Sequence, residues 1–189
     1  MHMPHALKIL LLCLSIGLFA GCAASGGSRE DRRATVQKMR QDVLAQLYRV
    51  KPHARAEIQQ APGYAVFSNA NVNLIFASFG GGYGVARDAK SGRDVYLKMG
   101  EAGVGLGLGV KDFRGVFVFN NRATMERFIS SGWEFGAHAD AAAKAADKGG
   151  AVGGEVLMDG ITIYQMTEAG LALQATIKGT KYWKDDELN

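Results

Sequence analysis

From Gly103 to Val110 the sequence reads GVGLGLGV, with a glycine at every second position and only Val and Leu between. Few structures tolerate that pattern. A dinucleotide-binding loop needs glycine at the first, third and sixth positions of GxGxxG. Neither this stretch nor GGGYG at 80–84 supplies the sixth, and no Walker lysine follows. In a strand, successive side chains point to opposite faces. Gly103, Gly105, Gly107 and Gly109 would then leave one face bare while Val104, Leu106, Leu108 and Val110 pack the other. A bare face requires a close neighbour, whether a helix, a second layer of a curled sheet or a lipid chain. Gly80, Gly82 and Gly84 repeat the pattern more briefly.

The flanking segments read as strands too. YAVFSN, VNLIFASF, GYGVAR, DVYLKM and RGVFVFN are rich in β-branched and aromatic residues, with DAKSGRD and KDF as turns between them. EVLM, GITIYQMT and GLALQATI add strands joined by Asp159-Gly160 and by Glu168-Ala169-Gly170. Asn120 and Asn121 offer an N-cap to a short helix, ATMERFIS, which Gly132 stops. EFGAHADAAAKAADKGGAVGG reads as strand then loop. The expected class is α+β, with N-terminal amphipathic helices and a glycine-rich, mostly antiparallel sheet, curled or barrel-like, carrying one inserted short helix. A membrane barrel fits poorly, because its strands need about 9–11 residues and these runs mostly look shorter.

The first 21 residues read as an address. MHMPHALK is a short basic start, ILLLCLSIGLFA is an apolar run, and GC follows at once. The run falls short of the ~20 residues of a spanning helix. LFAGC, ending at Cys22, resembles the lipobox of bacterial lipoproteins, with Phe19 where Leu is usual; a plain secretory signal or an uncleaved anchor is the alternative. The expected organisation is a lipoprotein signal peptide at 1–21, a flexible tether at 22–28, and a single domain at 29–189. Cys22 is the residue to be lipidated. Ala23, rather than Asp, implies sorting to the outer membrane, at its periplasmic face or at the cell surface.

Loss of the leader removes Cys13, His2 and His5, leaving one Cys committed to lipid, with His53 and His138. No intramolecular disulfide can form, and the usual Cys/His zinc set is incomplete. No metal or other cofactor is expected. His138 and Asp140 share a strand face near Ser130-Ser131, yet nucleophilic catalysis needs a base in reach and an orienting third group, and no GxSxG elbow appears. Asp185-Asp186-Glu187 reads as a solvated tail. The chain is expected not to be an enzyme.

Val36, Met39, Val43, Leu44 and Leu47 recur at three- and four-residue steps, predicting a helix from Arg29 to Arg49 that Pro52 ends. A second short helix through Ala54 and Ile58 stops at Pro62-Gly63. Around the first helix, Arg29, Arg32, Arg33 and Arg40 fall on or beside the apolar stripe. From Arg29 to Ile58 eight Lys/Arg oppose four Asp/Glu, whereas from Gln59 onward thirteen oppose fourteen. The positive balance therefore sits next to Cys22. Two readings of this face stand together. It can lie on anionic lipid through Arg29, Arg32, Arg33, Val36, Met39 and Arg40, or the stripe can pack on the domain with the arginines as a solvated rim. A phospholipid membrane is the expected partner and an envelope or host protein docked on the sheet the alternative; no nucleic acid is expected.

Taken in order, APGYAVFSN after a helix, GGGYGVARDAKSG, GVGLGLGV, DFRGVFVFNNRATMERFIS, EFGAHADA and GLALQATIKGTKYW resemble the SYLF domain across roughly Val36 to Trp183. The resemblance implies lipid binding, since eukaryotic members bind membrane phosphoinositides. Some of those members bind actin, which is not the expected partner of a periplasm-facing protein. Pro62 stands where the family often has a basic residue, so a lipid contact there does not carry over.

Overall fold

A computed structural model of the chain describes residues 28–74, 77–103, 109–134, 151–152, 155–167, 170–171 and 179–189. Residues 1–27 with Cys22, the stretch 104–108 and the segment holding His138 and Asp140 lie outside these. Two helices, α1 (Arg29–Val50) and α2 (Ala54–Gln60), lead into β1 (Gly63–Leu74), β2 (Ala77–Asp88), β3 (Asp94–Gly103) and β4 (Gly109–Phe119). Helix α3 (Arg122–Ser131) follows, then β5 (Trp133–Glu134), β6 (Ala151–Val152), β7 (Glu155–Met158), β8 (Ile161–Thr167), β9 (Gly170–Leu171) and β10 (Gly179–Lys184). They make one curled antiparallel sheet in the order β5-β10-β3-β2-β1-β4-β8-β7-β6, with β9 against β8.

The local signals explain the helix ends. The Ser28 side chain accepts from the Asp31 N–H while Asp31 accepts from the Ser28 N–H, closing a capping box at the start of α1. Asn121 caps α3 by accepting from the Thr124 N–H, and Gly132, with φ of 74°, takes the left-handed position that ends it. Between β7 and β8, Asp159 and Gly160 have φ of 52° and 76°, the positive pair that a tight two-residue hairpin requires.

Two sequence expectations need correction. Strands β1 to β4 run 12, 12, 10 and 11 residues, so the runs are not short and strand length says nothing against a barrel. Residues that look like breaks continue the ladder: Asn69 pairs with Gly82 and Asn71 with Gly80. Backbone hydrogen bonds and neighbouring strands override weak local propensity there. GVGLGLGV, moreover, is not one strand end to end. Gly103 closes β3 opposite Ser78, whereas Gly109 opens β4 opposite Asn73. Gly105 and Gly107 fall between, outside the described residues.

Alternation along the long strands feeds two separate cores. Ala65, Phe67, Ala86, Val95, Leu97, Met99, Phe117 and Phe119 face inward onto Met125 and Phe128 of α3. Val66, Val85, Val116, Val118 and Tyr164 face outward and are covered by Val36, Met39, Val43 and Leu47 of α1 with Ala54 and Ile58 of α2. Among the described residues every buried apolar side chain lies between Val36 and Leu188. No helix among the described residues is long and apolar enough to cross a membrane.

The inner core shows why one of the alternating glycines is needed. Phe67 and Gly84 are directly paired across β1 and β2. A Cβ built on Gly84 would lie 2.3 Å from Phe67 Cδ1 and 2.5 Å from the Val66 carbonyl oxygen. The ring fills the place of the missing side chain. It also meets Tyr182 edge-on at 4.7 Å and Phe117 at 5.3 Å between centroids. Gly84→Val should therefore cost about 1–3 kcal/mol by overpacking, despite valine's better strand propensity; urea denaturation reads it as a lowered midpoint.

On the same face, Arg122 at the start of α3 donates from Nη2 to Asp88 Oδ2 at 2.8 Å and from Nη1 to Oδ1 at 3.1 Å. Asp88 also accepts from the backbone N–H groups of Lys90 and Ser91, fixing the turn into β3. Arg122 above all holds the Asp88 carboxyl well below the ordinary carboxylate range. A depressed folded-state pKa stabilises the fold above the unfolded value, near 3.9, and that stabilisation is lost as pH falls through the folded one. The fold should lose stability on acidification below about pH 4, and Asp88→Asn should remove part of that acid dependence in a melting series.

Candidate membrane-facing surface

The first helix meets the sheet along the face the sequence marks as basic and apolar together. Val36 is 3% and Met39 8% exposed, both within the outer core. The arginines beside them are engaged within the chain. Arg40 Nη1 donates to Asp94 Oδ1 at 3.0 Å, and Arg87 meets the same oxygen at 3.1 Å. Arg33 Nε donates to the Leu188 carbonyl at 2.8 Å and lies over the Tyr96 ring. Arg32 pairs with Glu187 at 2.8 Å, and Arg29 donates to the backbone oxygen of Asn189. Of the two readings of this face, packing on the domain is what the structure shows, with the exposed Arg29 and the half-buried Arg32 and Arg33 reaching the C-terminal segment and Arg40 reaching Asp94.

That segment also departs from expectation. Asp185 is only 4% exposed, its N–H donates to the Tyr96 carbonyl, and its carboxylate lies 3.3 Å from Lys98 Nζ. Glu187 bridges Arg32 and Lys98, and its carboxyl is held below the usual range, first by the Arg32 hydrogen bond and then by Lys98. Leu188 is buried under α1. Residues 185–189 are a strap across the outer face. The sequence hides it because each partner lies some 90 to 160 positions away.

Beside the strap the outer face stays open. Tyr83 and Trp183 are 40% and 38% exposed, and both pair in register with Lys98. Strand alternation puts Tyr83, Trp183 and Lys98 all on the outer face, two residues from Val85, Asp185 and Tyr96 respectively. In the next row Lys181 is opposite Gly100, and Gly100 opposite Gly81. A Cβ at Gly81 would meet nothing within 4 Å, while one at Gly100 would lie 3.1 Å from Trp183 Cη2. The indole rests on a glycine floor. Gly82, on the other parity, pairs with Met99 of the inner core, and Gly80 pairs with Glu101.

The remaining shifted groups are structural partners. Burial, then a hydrogen bond to Glu57, raises the Tyr164 hydroxyl far above the ordinary phenol, and burial raises Tyr48. Ser130 and Ser131 are exposed at the end of α3 with hydroxyls 3.4 Å apart. Among the described residues no three His, Cys, Asp or Glu converge on a metal position. The arginine contacts generate a test. Arg32→Glu with Arg33→Glu should release the strap, read as faster proteolysis near residue 185 and a lower melting temperature.

Two matches bear on identity. Residues 100–189 match the family described as "Ysc84: Las17-binding protein actin regulator". Beta cell expansion factor A of Aeromonas veronii is 33% identical over 166 residues, covering 84% of this chain and 59% of that protein. The chain thus spans somewhat under two thirds of that relative's length. Residues 100–189 thus match the SYLF family's model, and the order of motifs from Val36 to Trp183 resembles that family along the rest of the described chain.

Proposed function

We propose that this is a lipid-anchored envelope protein of the outer membrane whose SYLF domain binds phospholipid bilayers through anionic head groups and catalyses no reaction. The observation that carries the reading is where the domain begins. Cys22 stands six positions before Ser28, the N-cap of α1. At ~3.3–3.6 Å per residue, an acyl chain on Cys22 would hold that end of α1 within roughly 20 Å of the bilayer. That end lies against the strap and Lys98. Tethering turns a weak lipid contact into an intramolecular one of high effective concentration, so the domain needs no deep insertion. The excess cationic charge supports the same reading, since it is concentrated between Arg29 and Ile58 beside the anchor. The family name's reference to an actin regulator describes the family; an envelope location leaves lipid as the partner class this chain can meet.

Two measurements test it. Cys22→Ser should move the protein from the detergent-extracted membrane fraction to the soluble one. The leaderless Cys22→Ser chain should co-sediment with anionic vesicles more than with neutral ones, and less as salt rises, because exposed charges are screened over about 8–10 Å at physiological ionic strength. Absence of sedimentation with every vesicle would replace this reading with docking to a protein partner.

A further inference from the structure

Resting on that lipid reading, we propose that the bilayer is met by the open ledge of the outer face formed by Tyr83, Trp183 and Lys181, not by the arginine stripe of α1. The stripe is unavailable without unpacking the outer core, because Val36 and Met39 are buried and Arg29, Arg32, Arg33 and Arg40 hold the strap and Asp94. The ledge needs no rearrangement.

Four observations converge on a lipid surface as its occupant. Phe67, Phe117, Phe119 and Phe128 are buried, whereas among the described residues Tyr83 and Trp183 each keep more than a third of their surface open. Tyr and Trp, with an apolar body and a polar tip, suit the head-group layer, where one end is apolar and the other wet. The floor is flat: Gly81 and Gly100 are adjacent, and Trp183 lies on Gly100 instead of standing away from the sheet. Lys181 is exposed on the same face and, although Glu134 is opposite it on β5, makes no ion pair within 4 Å among the described residues, so its ammonium can turn to a phosphate, while Lys98 is occupied by Asp185 and Glu187. Position completes the case. Arg32, Glu187 and Lys98 form a continuous bridge from the first turns of α1 to the ledge. The tether from Cys22 arrives at that same end, so anchoring would bring this face, rather than the α3 face, toward the bilayer.

The chain has two tryptophans, Trp183 on the ledge and Trp133, which packs against the inner core, so fluorescence separates the faces. The leaderless Cys22→Ser chain, which retains every core residue, is mixed with phosphatidylglycerol/phosphatidylethanolamine vesicles with and without brominated acyl chains. Brominated lipid should quench the wild-type emission, Trp183→Phe should abolish the quenching while Trp133 still emits, and Lys181→Glu should lower affinity for the anionic vesicles roughly tenfold. Circular dichroism and the melting temperature check both variants, and iodide quenching of the wild type, lost on vesicle binding, gives the same answer without substitution. Vesicle-bound protein whose Trp183 stays unquenched by brominated lipid and open to iodide would overturn the ledge while leaving the membrane reading intact. Failure to bind any vesicle would overturn both. Shielding of Trp183 by self-association in lipid-free solution would assign the ledge to a second copy of the chain.

Discussion

From Ala65 to Phe67 both faces of β1 are dry, and the arrangement of the molecule follows from that. Phe67 and Ala65 point into one core and Val66 into the other, all three with no exposed surface. A strand buried on both sides cannot carry the apolar-in, polar-out alternation of a half-solvated antiparallel sheet. It needs a covering layer on each face. On the inner face the curl of the sheet brings β10 and α3 over Phe67, and on the outer face α1 and α2 do so. Burying Val36, Met39, Val43 and Leu47 of α1 is worth about 1.5–3 kcal/mol apiece as an upper estimate. Separating that helix from the sheet would forfeit most of the protein's margin, since whole domains are stable by only about 5–15 kcal/mol. A membrane contact of a few kcal/mol cannot unpack α1. That comparison of magnitudes sends the search for a lipid surface to places already open.

The arginines of α1 acquire a different role in this frame. Arg29, Arg32, Arg33 and Arg40 are long side chains at the edge of an apolar seam, and each finds an oxygen on the strap or on Asp94. Isolated exposed pairs contribute little, but these are not isolated: Glu187 joins Arg32 to Lys98, and Asp94 joins Arg40 to Arg87. The network fixes where the strap lies, and the strap in turn seats Leu188 in the outer core. Charge here positions an apolar contact.

What the sequence made legible was local. The helix ends at Asn121 and Gly132, the Asp159-Gly160 turn and the hairpin after Asp88 all follow from residues within a few positions of one another. The capping box of Ser28 and Asp31 was equally local and passed as part of a polar tether. Non-local pairing hid the rest. Nothing near Gly84 announces that a ring from Phe67 will occupy its side-chain space, and nothing in DDELN shows that Asp185 and Leu188 will be buried while Asp186 is not. Strand ends were misjudged where Asn and Gly continue a ladder held by backbone alone. The ledge left a faint trace: in TKYWK the period of two must send Tyr182 and Trp183 to opposite faces, but only the sheet reveals that the face given to Trp183 is left uncovered.

The uncovered part of the outer face has a geometric cause. The row that runs from Tyr96 through Val85, Val66 and Val116 to Tyr164 is covered by α1 and α2 together, from Gln37 of α1 on the Tyr96 hydroxyl at one end to Glu57 of α2 on the Tyr164 hydroxyl at the other. The next row, Trp183, Lys98 and Tyr83, lies beyond that cover, and past that the sheet carries Gly100 and Gly81, which give a covering helix nothing to grip. Glycine in these strands thus acts in two opposite ways. At Gly84 its missing side chain admits Phe67 and tightens the inner core, whereas at Gly81 and Gly100 it removes the apolar surface that would otherwise demand a cover. In the proposed role such a surface, flat and rimmed by Lys181 with two amphipathic rings, would suit a protein tethered at a bilayer. It can rest on the head groups without exposing a hydrophobic core when it leaves them.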